Sequence, residues 1–98
     1  MSTTIDNYNN LIPFVNHLVD LGYEVDANHD NVMGYGFYVE LSDKRYIKIS
    51  IFGDMMYVDL MKHNSKYSHD IVNDIKLKES GMINDVDKIK EVVLDYLK

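Results

Sequence analysis

The side chains that could do chemistry in this sequence are sixteen carboxylates and four histidines, with no cysteine. The histidines are His17, His29, His63 and His69, and the last two lie six residues apart in a polar stretch. A metal site needs three or more converging ligands, and this spacing matches no recurrent motif. We therefore interpret the histidines as isolated surface or capping residues, and we expect no metal and no other cofactor.

Asp26, Asn28 and Asp30 occupy the first, third and fifth positions of a calcium-loop pattern. The sixth position is Asn31 rather than glycine, and the twelfth is Phe37 rather than a bidentate glutamate. An Asx-rich turn accounts for these residues better than a calcium ion does.

Catalytic motifs are missing from the sequence. It contains no G-x-S-x-G nucleophile elbow and no phosphate-binding P-loop. Gly34-Tyr35-Gly36 falls inside a predicted strand, where glycine marks a bulge or a close backbone approach. Nothing selects one pair of carboxylates for glycoside hydrolysis. We therefore expect a protein that is not an enzyme.

The size and composition predict one globular domain spanning residues 1–98. Hydrophobic residues make up 46% of the 98 residues, which is enough to build a core. No apolar run is long enough to span a membrane, and the first residues lack a signal peptide. The absence of cysteine fits a reducing cytosol, so we expect a cytoplasmic protein. If a phage encodes the chain, that cytoplasm is the host's.

The net charge of −6 is unevenly distributed. Residues 1–43 contain seven acidic residues and no Lys or Arg, whereas residues 44–98 contain ten basic and nine acidic residues. Such a field repels nucleic acids and membranes and attracts basic protein surfaces. We therefore expect a protein partner with a basic surface, and neither direct nucleic-acid binding nor membrane binding.

The first elements follow from apolar spacing. Helical periodicity runs from Leu11 to Leu21, with Asn9 or Asn10 as the cap and Pro13 in the first turn. Residues 23–27 alternate like a short strand, and residues 28–31 form a turn cluster.

Three alternating runs then predict an antiparallel meander: residues 32–41, 45–52 and 55–62. Gly53-Asp54 is a two-residue turn that pairs Phe52 with Met55. A three-residue loop over 43–45 pairs residue 41 with 47, 39 with 49 and 37 with 51. This register predicts a Glu40–Lys48–Asp59 charge row and places Gly36 opposite Phe52.

The structure of residues 63–83 stays open, because Asp70–Glu79 suits either a short helix or a strand. A final helix begins at an Asn84 cap and has one apolar face. The predicted fold class is α+β: an N-terminal helix, a three- to four-stranded antiparallel meander, and a C-terminal helix packed on one sheet face.

Two surfaces suit a partner. The outer face of the meander combines aromatic and Met side chains, which are enriched at interfaces: Tyr38, Tyr46, Phe52, Met55, Tyr57 and Met61. The alternative is that the 70–79 segment or the first strand covers this face. Asp87, Glu91 and Asp95 form an acidic ridge on the last helix, and a plain solvated face is the preferred interpretation of that ridge.

The α-β-β-β-α order resembles double-stranded-RNA-binding domains, but Asp85 and Asp87 stand where those domains have basic residues at the second helix. In size, acidity and element order the chain is similar to small phage-encoded inhibitors of bacterial defence, including anti-CRISPR proteins and DNA mimics. That resemblance implies a non-enzymatic inhibitor that presents carboxylates to the basic groove of a nuclease or another nucleic-acid-binding enzyme. It rests on no shared motif.

The main hypothesis is therefore a protein-binding inhibitor of a nucleic-acid-handling enzyme. The candidate phosphate mimics are Asp20, Glu24, Asp26, Asp30 and Asp43. The candidate apolar anchors are Tyr38, Tyr57 and Met61. The alternatives are an antitoxin or immunity protein, and a structural domain that forms a homodimer through its Tyr/Met sheet face.

Overall fold

A computed structural model describes residues 4–30, 34–64 and 74–98, which form two helices and one antiparallel sheet. In chain order the elements are α1 (Thr4–Asp20), β1 (Glu24–Asp30), β2 (Gly34–Glu40), β3 (Arg45–Phe52), β4 (Met55–Lys62), β5 (Ile75–Glu79) and α2 (Val86–Tyr96). The predicted α+β class is confirmed. The sheet has five strands in the order β1-β2-β3-β4-β5, one or two more than predicted.

The core lies between both helices and one face of the sheet, which we call the inner face. Successive strand residues point to opposite faces, so one alternating set is buried and the other looks away from the helices. The buried side chains of the inner face are Phe37, Val39, Ile47, Ile49, Ile51, Met56, Val58 and Leu60, which alternate along β2, β3 and β4. They pack with Leu11, Phe14, Val15 and Leu18 of α1 and with Ile89, Val93 and Tyr96 of α2.

Helix α1 begins earlier than predicted. It starts at Thr4 rather than after a cap at Asn9 or Asn10, and it continues through Pro13. The reason is a tertiary contact with the β3–β4 turn. The Gly53 N–H donates to Thr4 Oγ1 (2.7 Å), and Asn7 Nδ2 donates to the Gly53 carbonyl (2.7 Å). These bonds fix the first turn of the helix and satisfy the buried Asn7 amide, which would otherwise be costly to bury.

Strand β1 is longer than predicted and removes the expected turn. It pairs with β2 without interruption from Glu24 opposite Glu40 to Asp30 opposite Gly34. The predicted turn cluster at residues 28–31 is therefore wrong over residues 28–30, and Asn31 lies outside the described residues. Backbone pairing with β2 overrides the local turn preference of Asn and Asp.

The β2–β3 register differs from the predicted one by two residues. Val39 pairs with Ile47 and Phe37 with Ile49, so both strands keep their inner faces. The cause is the turn, where Asp43 (φ 62°) and Lys44 (φ 63°) both adopt the left-handed region and Arg45 already belongs to β3. In the predicted Glu40–Lys48–Asp59 row, the Lys48–Asp59 pair is confirmed, but the Glu40–Lys48 pair is wrong, because Lys48 lies opposite Tyr38.

Gly36 lies opposite Ser50 rather than Phe52. Its role is a close backbone approach, because a Cβ at this position would clash with the Ile49 carbonyl oxygen.

The remaining elements settle part of the open segment, of which residues 65–73 lie outside the described residues. The β3–β4 hairpin has the predicted register, from Phe52 opposite Met55 to Tyr46 opposite Met61. Residues 75–79 form strand β5 on the far side of β4, with a register shift at Leu60/Met61. The cap of α2 is Asp85 rather than Asn84, and its side chain accepts a bond from the Asp87 N–H (2.9 Å).

Candidate functional site

The sheet face that looks away from the helices, here called the outer face, carries most of the predicted partner-binding residues. Strand alternation places four rows of side chains on it across β1, β2, β3 and β4. From one end of the sheet they are Glu24–Glu40–Tyr46–Met61, Asp26–Tyr38–Lys48–Asp59, Asn28–Gly36–Ser50–Tyr57, and a last row that contains Phe52 and Met55.

The acidic part of the outer face lies at the β1 edge. Glu24 and Asp26 are both exposed, and residues 24–40, which span β1 and β2, contain no Lys or Arg. Asp26 pairs with Tyr38, a half-buried ring, and Glu24 pairs with Glu40. The structure therefore brings two predicted phosphate mimics and one predicted anchor together.

The other three predicted phosphate mimics are placed differently. Asp20 ends α1 and Asp43 lies in the β2–β3 turn, and both are exposed. Asp30 is the last residue of β1, opposite Gly34, and its side chain lies outside what the structure describes. Neither Asp20, at the end of α1, nor Asp43, in the β2–β3 turn, therefore belongs to the strand rows of the outer face.

The apolar anchors are divided by burial. Tyr57 is half-buried, and its ring packs edge-on against Phe52 with centroids 6.2 Å apart. Met61 is only 8% exposed, which leaves little side chain for a partner. Phe52 (55% exposed) and Met55 (44%) are the accessible apolar groups of this face. Their place beside a turn distinguishes them in the sequence, but only the structure shows their exposure.

Tyr46 lies on the outer face but is 1% exposed, because a cluster of polar residues covers it. Its ring stacks on the His63 imidazole (centroids 4.4 Å apart), and its hydroxyl donates to Asp74 Oδ2 (2.6 Å). The Asn64 N–H donates to the other Asp74 oxygen at 3.2 Å. Burial raises the pKa of Tyr46 well above its usual value, and the bond to Asp74 adds to that effect.

The sequence suggested that His63 is an isolated surface or capping residue, and this is wrong. His63 lies between two carboxylates. Its Nε2 lies 3.4 Å from Glu40 Oε2, and its Nδ1 lies 3.3 Å from Asp74 Oδ2 without a hydrogen bond. The two ring nitrogens face different acids, so the three side chains do not converge on one point. The cluster joins β2, the end of β4 and the residue before β5, which is a structural role.

A shallow groove of about 370 Å³ lies on the outer face beside β5. Its lining mixes rings and charges: Lys48, Ser50, Phe52, Tyr57, Asp59, Lys76, Glu79 and Gly81. Burial raises the pKa of Asp59, whereas Lys76 (4.0 Å away) and Lys48 oppose that shift. Since cations and anions alternate here, the groove has no single-sign field and differs from the β1 edge.

The acidic ridge on α2 is partly neutralised. Lys90 lies 3.6 Å from Asp87, and Lys88 lies 3.5 Å from Glu91, each three residues away on the same helix. These exposed pairs match the interpretation of a solvated face.

Two other kinds of site are absent from the described part of the chain. No three His, Asp or Glu side chains in it are grouped as a metal ion would require. Neither helix in it combines the length and apolar character of a membrane span. His69 and Asp70 lie outside the described residues.

Comparison with known proteins adds no functional assignment. No protein-family model matches the chain, and no curated protein or solved structure is significantly similar to it. The feature of this chain with the clearest functional character is therefore the exposed pair Glu24 and Asp26 at the β1 edge, where neither β1 nor β2 contains a Lys or Arg.

Proposed function

We propose that this chain is a non-enzymatic inhibitor that binds a nucleic-acid-handling enzyme and covers its basic surface. The observation that supports the proposal is the pair of exposed carboxylates on β1, Glu24 and Asp26, with no Lys or Arg in β1 or in the adjacent strand β2. A basic groove attracts such a surface for the same reason that it attracts a phosphate backbone.

The distribution of charge in the fold supports binding through the β1 side of the sheet. The strand order puts the acidic strands β1 and β2 at one side of the sheet, and Lys76 and Lys78 of β5 at the other. A field of this kind turns the β1 side toward a basic partner during encounter. Tyr38, half-buried next to Asp26, supplies an aromatic contact of the type enriched at interfaces.

The outer face favours a different partner over a second copy of this chain. Two of the apolar residues expected to form a homodimer, Tyr46 and Met61, are buried by contacts within the chain. The accessible apolar area is reduced to Phe52, Met55 and the half-buried rings, which is a small core for a stable dimer.

Affinity capture with a matched pair of variants tests the proposal. The tagged chain is incubated with lysate of the organism that carries the gene, or of its host, and captured proteins are quantified by mass spectrometry. We expect wild type to retain a nucleic-acid-binding enzyme, and Glu24→Lys/Asp26→Lys to lose it. The control, Glu91→Lys/Asp95→Lys, makes the same charge change on exposed residues of α2.

Capture should also weaken by a factor of about ten or more between roughly 50 and 200 mM salt, because several charge contacts are broken. Equal loss in both variants would show that net charge alone matters. Capture that survives reversal of Glu24 and Asp26 would contradict the proposal.

A further inference from the structure

The two edges of the sheet differ in how they are protected. Exposed edge strands present unpaired backbone N–H and C=O groups, and proteins block them with lysines, bulges or short strands. Strand β5 has all three features: it has five residues, a register shift against β4, and Lys76 and Lys78. It is therefore a poor template for another strand.

Strand β1 has none of those features. It has seven residues in unbroken register with β2, and it contains no Pro, Lys or Arg. Among the described residues, β2 is the only strand that pairs with β1, and no described strand lies along its other edge. Ala27, whose side chain is small and exposed, leaves the middle of that edge accessible.

The charges of β1 select what can pair with it. Glu24 and Asp26 are two residues apart, so their side chains share the outer face about 7 Å from each other. A second copy of β1 would bring more carboxylates to this face, and like charges across a ladder are destabilising. A strand with Lys or Arg at every second position would place its cations opposite these acids.

We propose that the free edge of β1 binds an extended basic segment of the partner, which joins the sheet as an added strand. This inference rests on the proposed function, and it names the chemistry of the partner: alternating basic residues in a segment without regular structure of its own. The backbone ladder supplies affinity and the alternating charges supply selectivity, as in other strand-addition complexes.

Synthetic peptides test the strand addition. The probe is a fluorescein-labelled peptide that alternates lysine with valine or threonine and is long enough to pair with Glu24–Asp30. Two derivatives carry N-methyl groups on either the lysines or the intervening residues. Methylation removes backbone N–H groups and leaves the charge unchanged. Binding to the full chain is measured by fluorescence anisotropy.

We expect the parent peptide to bind, and one methylated series to bind at least about tenfold more weakly than the other. Only alternate N–H groups of an added strand face β1, so the two series must differ. Glu24→Lys/Asp26→Lys should weaken the parent peptide by about tenfold, and Glu91→Lys/Asp95→Lys should leave it unchanged.

Two results would overturn the inference. If the two methylated series bind as tightly as the parent, the peptide is held by charge alone; the acidic surface and the proposed function then remain. If the parent peptide does not bind at all, strand addition is excluded. In that case, capture of a nucleic-acid-binding enzyme that depends on Glu24 and Asp26 still decides the proposed function separately.

Discussion

At the scale of single residues, the molecule uses the outer face of its sheet for structure as well as for contact. Tyr46, His63 and Asp74 form a buried polar cluster there, with the Tyr46 hydroxyl bonded to an Asp74 side chain that is only 1% exposed. A buried carboxylate is costly unless its oxygens accept hydrogen bonds. Tyr46 therefore stabilises a group that would otherwise oppose folding.

Replacing Tyr46 by Phe should lower the free energy of unfolding by about 1–3 kcal/mol, because Asp74 keeps only the bond from Asn64. Urea unfolding at neutral pH measures the change. Tyr57→Phe is the control, because Tyr57 is half-buried on the same face. Removing its hydroxyl should lower the free energy of unfolding by less than about 0.5 kcal/mol. Equal costs for the two variants would show that the Asp74 bond contributes nothing.

We expect Asp59 to make the stability of the protein depend on pH. Burial raises its pKa in the folded state, with Lys76 and Lys48 acting in the opposite direction. The folded chain therefore holds this proton more tightly than the unfolded chain, and stability falls as pH rises above about 4, the ordinary pKa of Asp. We expect Asp59→Asn to match wild type near pH 3 and to be the more stable protein at pH 7. The melting temperatures of wild type and Asp59→Asn are measured at both pH values. An equal difference between the two proteins at pH 3 and pH 7 would contradict this expectation.

At the scale of elements, the two hairpins show what the sequence determines and what it leaves open. The Gly53-Asp54 turn fixed the β3–β4 register correctly, because glycine provides the positive φ (66°) that a two-residue turn requires. The β2–β3 turn has no glycine, and Asp43 and Lys44 take positive φ without any local sign of it. The alternation still assigned the faces correctly, since a shift of two residues preserves them.

Lys44→Gly should therefore stabilise the protein, by about 1 kcal/mol, because it removes the steric cost of a left-handed lysine. The matched opposite change is Gly53→Ala, which introduces that cost at φ 66° and should destabilise by a similar amount. Chemical denaturation of both variants checks the signs. A destabilised Lys44→Gly variant would mean that the lysine side chain makes a contact that outweighs the strain.

The helices also show which features the sequence determines and which depend on contacts between distant residues. The apolar face of α2 was predictable from spacing. The start of α1 instead depends on Gly53, far along the chain, whose N–H donates to Thr4 Oγ1 and whose carbonyl accepts from Asn7. In the candidate site, the placement of Tyr38 beside Asp26 requires the β1–β2 register. The His63–Asp74 contact could not be predicted, because nothing local relates the two residues.

At the scale of the whole molecule, the uneven charge of the sequence becomes a spatial asymmetry. The seven acidic residues of the first 43 positions belong to α1, β1, β2 and the β2–β3 turn, and the lysines of β5 lie across the sheet. The chain thus presents one acidic side rather than an evenly negative surface. This asymmetry favours one orientation on a basic partner and adds long-range attraction.

The central claim is that this acidic side occupies a nucleic-acid-binding surface. Competition measures this most directly. A fluorescent oligonucleotide bound to the captured enzyme is titrated with the chain, and its anisotropy is followed. We predict that the oligonucleotide is displaced, that Glu24→Lys/Asp26→Lys fails to displace it, and that Glu91→Lys/Asp95→Lys displaces it as wild type does. A complex that contains enzyme, oligonucleotide and chain together would contradict the claim.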